Sequence, residues 1–174
     1  MLQGKPKPPK DPEDERAIEF RAVDLLSRRE HSAAELRRKL VHKGFAVEAV
    51  NAVLKRLQER QWQSNERFAE SFFRQRVEQG YGPLRIRMEM SQKGLNDLEI
   101  EAVFTDFAPD WRELAKHRYQ RRFGDANGNI AKLQQLEAKE RAKRQRFLAQ
   151  RGFTAEQVYA AIGAAEDDDN AAVF

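Results

Sequence analysis

Three glycines constrain this chain more than any other feature. Gly44, Gly94 and Gly152 stand in one repeating frame. Leu40, Met90 and Leu148 lie four residues before them, and Lys43, Lys93 and Arg151 immediately before. Phe45, Leu95 and Phe153 follow at once, then Val50, Ile100 and Val158 at six residues and Leu54, Phe104 and Ile162 at ten. Such a pattern describes an amphipathic helix that stops at a left-handed residue, with a second amphipathic helix close behind it. The cation before each glycine suits the negative end of a helix dipole, and that structural role is sufficient for Lys43, Lys93 and Arg151.

The first two repeats also match upstream. Ile18 and Ala22 correspond to Phe68 and Phe72, and Leu36 to Ile86. Ser32-Ala33 corresponds to Gly82-Pro83, an N-cap followed by proline at the first helical position, so Tyr81-Gly82-Pro83 reads as a helix start. Ser32-Ala33-Ala34-Glu35 and Thr154-Ala155-Glu156-Gln157 both have capping-box form. The third repeat is degenerate, with Arg144 in the column of Leu36 and Ile86. The eight extra residues between the second and third anchors fall around the turn-rich stretch Gly124–Asn129. The pattern predicts an all-α fold: nine helices in three tandem three-helix repeats forming an elongated, curved array, spanning 13–62, 63–108 and 109–163. A flexible tail over 1–12 and an acidic tail over 164–174 flank them, because Lys5–Lys10 is proline-rich and Glu166–Asp169 sets four negative charges together.

Composition closes several routes to chemistry. There is no cysteine, which removes disulfides, thiolate zinc sites and thiol nucleophiles together. No apolar run exceeds five residues, far short of the roughly 20 that a membrane-spanning helix needs. The charged, proline-rich start predicts no secretory signal. His31, His42 and His117 lie in polar or basic surroundings and read as exposed helix residues. No phosphate-cradling glycine loop follows a strand pattern. Asp167–Asp169 reads as a solvated terminus in preference to a cation site. The expectation is a non-enzymatic chain with no cofactor, no metal and no membrane contact. Phe45, Phe68, Phe72, Phe73, Phe104, Phe107 and Phe153 are assigned to the core, and Trp62 and Trp111 to packing between repeats.

The informative signal is basic. The stretch 111–151 carries twelve Lys and Arg against four Asp and Glu, a charge of +8 where the whole chain of 174 residues carries +4. Arg118, Arg121 and Arg122 share one helical face, and Lys139, Lys143 and Arg146 share another on the next helix. The density attracts a polyanion or an acidic protein groove. On charge alone, the candidate contact set is Arg37, Arg38, Lys39, Arg85, Arg87, Arg118, Arg121, Arg122, Lys139, Lys143, Arg144 and Arg146.

Two stretches are familiar in detail. Arg29-Glu30-His31-Ser32-Ala33-Ala34-Glu35-Leu36-Arg37-Arg38-Lys39-Leu40, followed by Lys43-Gly44-Phe45, resembles the first repeat of RecX-family regulators of the RecA recombinase. Tyr81-Gly82-Pro83-Leu84-Arg85-Ile86, with Lys93-Gly94-Leu95 downstream, resembles their second, and Arg151-Gly152-Phe153 continues the match. The resemblance implies a modulator, mainly an inhibitor, that binds the groove of the RecA–single-stranded DNA filament. It limits filament growth, ATP hydrolysis, strand exchange and the co-protease activity behind the SOS response. It further implies a cytoplasmic protein, expected as a monomer, with single-stranded and secondarily double-stranded DNA as direct partners. The competing readings are a stand-alone DNA-binding protein built from helix-turn-helix-like repeats, and an oligomeric scaffold.

Overall fold

The structure is a computed structural model and describes residues 9–124 and 137–167. Among the described residues there are nine helices and no strand: α1 Glu15–Leu26, α2 Ala33–His42, α3 Val47–Glu59, α4 Asn65–Glu78, α5 Pro83–Gln92, α6 Asp97–Phe107, α7 Trp111–Phe123, α8 Ala138–Gln150 and α9 Ala155–Asp167. The fold is all-α with tandem three-helix repeats.

Local signals account for the helix ends. The Asp14 carboxylate accepts from the backbone N–H groups of Arg16 and Ala17 to start α1, and Asp110 does the same with Arg112 and Glu113 for α7. Thr154 and Gln157 close both arms of a capping box before α9, and Asn96 and Glu99 close another before α6. Ser32 closes one arm only, because the Glu35 carboxylate is taken by Arg29. Gly44, Gly94 and Gly152 have φ of 99°, 86° and 87°. Behind each, the N–H of Phe45, Leu95 or Phe153 donates to the carbonyl of Leu40, Met90 or Leu148, the Schellman closure that lets the chain reverse into the next helix.

The chain divides into two compact units, Met1–Phe72 with Met90–Val103 and Phe73–Glu89 with Phe104–Phe174. In unit 1 the core gathers Ile18, Ala22, Leu36, Leu40, Phe45, Val50, Val53, Leu54 and Leu57 from α1, α2 and α3. In unit 2 it gathers Ala115, Tyr119, Leu148, Phe153, Val158, Ala161 and Ile162 from α7, α8 and α9. Phe73, Phe104, Phe107 and Trp111 add an aromatic stack to unit 2, at ring separations of 4.8–6.0 Å.

The division crosses the second repeat for a reason visible in both units. The first turn of one repeat's middle helix seats against the glycine turn of the next. In unit 1, Ser32 Oγ donates to the Lys93 carbonyl at 2.6 Å, and a Cβ on Gly94 would lie 2.3 Å from that of Ala34. In unit 2, the Gly82 and Leu84 N–H groups donate to the Arg151 and Gly152 carbonyls at 2.8 and 3.0 Å, and a Cβ on Gly152 would lie 2.4 Å from that of Arg85. Glycine therefore serves twice at these positions, permitting positive φ and leaving room for the neighbouring helix.

Several expectations change. Helix α9 continues to Asp167, beyond the expected start of the acidic tail at 164; the alanine-rich run before it is strongly helix-forming. His31 is 2% exposed, not a surface histidine. Its Nε2 accepts from Lys39 Nζ at 2.9 Å, and its Nδ1–H donates to the Arg29 carbonyl at 3.0 Å, which requires the neutral ring. Trp62 is half exposed beside Arg60, while Trp111 packs on Phe73 and Phe104. The extra loop at 125–129 and most of the acidic tail lie outside the described residues.

Candidate binding surface

Helices α7 and α8 carry most of the surplus positive charge, and they frame a groove of about 300 Å³ in unit 2. Arg122, Lys143 and Arg146 line it together with Phe123, Phe147 and Gln150. The two phenylalanine rings meet edge to face at 5.3 Å. Cations over an aromatic floor can hold phosphate or carboxylate at the rim while an apolar or planar group rests below. Arg121 and Lys139 are exposed but do not line this groove. Lys143 is 3.1 Å from Glu140, and Arg112 pairs with Glu156 across to α9, so acids temper the field more than the bare count of the stretch implied.

Arg144 leaves the surface set. Its residue is 9% exposed, its Nε donates to Glu140 at 3.1 Å and its Nη1 donates to the Tyr119 hydroxyl at 3.2 Å. Burial opposes its charge, yet the hydrogen bonds to Tyr119 and Glu140 carry its pKa above the ordinary value. The slot that holds Leu36 in the first repeat and Ile86 in the second stays a core slot here, filled by an arginine whose partners neutralise it.

Arg118 does not join Arg121 and Arg122. It lies against Gly80, with Cδ 2.9 Å from where a Cβ would stand, and its Nε is buried with no hydrogen-bond acceptor among the described residues. Arg85 converges on the same place, 4.2 Å from the Tyr81 ring centre, as do Arg151 at 5.5 Å and Arg76 at 5.6 Å. The charge-based contact set left out Arg76 and Arg151; Arg151 counted among the twelve cations of 111–151, but a helix-dipole role at the turn explained it. Arg87 lies over the Phe104 ring at 3.9 Å.

The first-repeat cations separate. Arg37 Nε donates to Asn51 at 3.0 Å, and Arg38 Nη1 donates to the Gln92 carbonyl at 3.3 Å. Lys39 turns toward His31 and, at 3.9 Å, toward Glu35. Glu35 is the anchor of that corner, held bidentately by Arg29 at 2.8 and 3.1 Å and approached by Lys93 at 3.5 Å. Burial would raise its carboxyl, but the Arg29 hydrogen bonds and the charges of Arg29 and Lys93 outweigh it and hold the pKa at about 2. Lys39 and Lys43 also edge a hollow of about 250 Å³ with Arg21 and Arg28, where Asp24 pairs with Arg28 at 3.2 Å.

Nothing in the described residues builds a metal centre, since no group of three or more His, Asp or Glu side chains converges. No described helix is long and apolar enough to cross a membrane.

Comparison with known proteins matches this architecture repeat by repeat. Residues 21–57 match the first RecX three-helix domain, 64–103 the second and 110–162 the third. The regulatory protein RecX of Halorhodospira halophila is 40% identical over 153 residues, 88% of this chain and 91% of that protein. Its counterpart from Pseudomonas savastanoi pv. phaseolicola is 38% identical over the same length, covering 94% of that protein. A crystal structure of regulatory protein RecX superposes with a TM-score of 0.69 at 26% identity, over 86% of this chain and 73% of that one. RecX from Lactobacillus salivarius, at 18% identity and a TM-score of 0.71 over 88% of this chain and 97% of that one, shares the fold. Three consecutive domain matches and identity near 40% along most of the chain lead to one conclusion: it belongs to the RecX family of regulatory proteins.

Proposed function

We propose that this chain is a non-enzymatic modulator, chiefly an inhibitor, of the RecA recombinase. In this reading it seats on the recombinase–single-stranded DNA filament, limits filament growth, and so lowers ATP hydrolysis, strand exchange and co-protease activity. It works in the cytoplasm as a monomer. The observation that carries the proposal is family membership across all three repeats, supported by the cationic groove of Arg122, Lys143 and Arg146. A chain of small repeats touches several sites on a polymer at once, and weak contacts add through effective concentration.

The test adds purified protein to recombinase assembled on single-stranded DNA and follows ATP turnover. Turnover falls as protein is titrated in; unchanged turnover at saturating protein contradicts the proposal. The aromatic floor of the groove also favours a second reading, direct DNA binding without the recombinase. Salt separates the two. Binding to bare DNA through several phosphates weakens steeply between about 50 and 200 mM salt. Inhibition that persists after bare-DNA binding has vanished assigns the effect to the protein filament. Substitutions serve better than truncation here, because removing α7, α8 and α9 would strip the unit 2 core of its partners.

A further inference from the structure

We infer that the guanidinium cluster around Tyr81 in unit 2 is a binding site for the phosphodiester backbone of a nucleic-acid strand. Four arginines from separate parts of the chain meet there: Arg76 of α4, Arg85 of α5, Arg118 of α7 and Arg151 at the end of α8. Among the described residues, the Glu89 carboxylate faces them. Glu89 sits 2.7 Å from Arg76 and 2.8 Å from Arg85, and so is shared between two of the four.

The remaining contacts do not balance the charge. Arg85 and Arg151 each donate to a backbone carbonyl, of Gln150 and Gln79, at a long 3.4 Å. Arg118 has its buried Nε without an acceptor among the described residues. Burial above all, and then the charges of Arg118 and Arg85, push Arg151 below its ordinary pKa. A planar guanidinium presents paired donors that match the two free oxygens of a phosphodiester, and several such forks in one place hold it from more than one side.

A polymer fits better than a single acid because the cluster continues into the groove. Arg151 lies 5.5 Å from the Tyr81 ring and 5.1 Å from that of Phe147, which lines the groove beside Arg122, Lys143 and Arg146. That run of cations suits a ligand with a negative charge at every residue. The inference rests on the reading of the chain as a regulator that works at a nucleoprotein filament, and it adds where the strand is gripped.

The experiment measures binding of an oligodeoxythymidylate of about 20 nucleotides, single-stranded or paired in a duplex, to the full chain over about 50–200 mM salt. Arg118→Gln with Arg151→Gln should lower affinity tenfold or more and make the logarithmic salt slope shallower by about 1.4 for the single strand, close to 0.7 per lost contact. Arg16→Gln with Lys55→Gln, two exposed cations of unit 1, removes equal charge and should change affinity less than about threefold. Comparing the two DNA arms identifies which form supplies the phosphodiester. Equal losses in both variants, or none in the first, overturn the site. Loss of binding to a polyglutamate probe with DNA binding intact also overturns it, assigning the cluster to an acidic protein. A footprint on the unaltered chain removes any dependence on variant folding: bound DNA should shield Arg118 and Arg151 from an arginine-specific dicarbonyl reagent, and equal labelling with and without DNA refutes the site. No recombinase is present, so the outcome is independent of whether ATP turnover falls.

Discussion

Replacing Gly82 by alanine tests the repeat junction at its tightest point. A Cβ on Gly82 would stand 2.4 Å from the carbonyl carbon and oxygen of Gly152 and from the nitrogen of Phe153. All three are backbone atoms, so no side-chain rotation relieves the overlap. Ordinary contact lies near 3.5 Å, and the start of α5 must therefore withdraw by about 1 Å. That movement breaks the Gly82–Arg151 and Leu84–Gly152 hydrogen bonds, now 2.8 and 3.0 Å, at about 1 kcal/mol each. Loosened packing around Pro83 and Phe153, both buried, adds a comparable amount, for a total of about 2–4 kcal/mol. The assay is tryptophan fluorescence during urea or thermal unfolding. The chain has two tryptophans, Trp62 in unit 1 and Trp111 in unit 2. Trp62→Phe, at a half-exposed position, leaves Trp111 as sole reporter of the damaged unit. Gly82→Ala should lower the Trp111 melting temperature by roughly 5–15 °C. An unchanged Trp111 transition would refute the claim that the glycine exists to admit the neighbouring backbone.

Leu40→Ala, at a position with no exposure, should cost about 2–5 kcal/mol of unit 1 stability by chemical denaturation, and a cost below about 1 kcal/mol would mean that the columns do not mark the core. Gly163→Ala is the converse: a Cβ there meets nothing within 4 Å inside α9, so the variant should be about 0.5–1 kcal/mol more stable, and a less stable one would contradict the helix assignment. Acid should weaken unit 1 in two stages. His31 is held below its ordinary 6.5, by burial above all, so its contribution is present above pH 6.5 and declines as pH falls below it. Glu35, lowered from 4.5 to about 2, contributes above pH 4.5 and loses that contribution between 4.5 and 2. The Glu35 shift corresponds to at most about 3.4 kcal/mol, and partly exposed partners reduce it to about 1–2 kcal/mol. Glu35→Gln should flatten the lower limb of stability against pH, and an unaltered limb would show that Glu35 is not its source.

The helices and their order were legible because each depends on short-range chemistry. Leu40, Met90 and Leu148 announce a buried column at helical spacing, and all three have no exposure. Gly44, Gly94 and Gly152 announce positive φ, and all three have it. Long-range consequences were harder to read. Gly82 looked like an N-cap, while the Gly152 backbone that explains it lies 70 residues away. Arg144 occupied an apolar column, and the column was the better guide: Tyr119, 25 residues distant, makes the slot habitable for a charge. His31 has the same explanation in Lys39, eight residues further on. Of the charge-based contact set, Arg122, Lys143 and Arg146 share one groove, because periodicity on α7 and α8 placed them on facing sides. Arg118 separated from Arg121 and Arg122 because the turn at Gly80 draws it elsewhere, which no spacing within α7 reveals.

The most direct measurement compares ATP turnover by recombinase on single-stranded DNA with the unaltered chain and with Arg122→Gln, Lys143→Gln and Arg146→Gln combined. These side chains line an open groove and leave the core intact. Strong suppression by the unaltered chain, with at least tenfold more of the triple variant needed for the same effect, is the expected result. Equal potency of the two would contradict a cationic grip on the filament as the source of regulation.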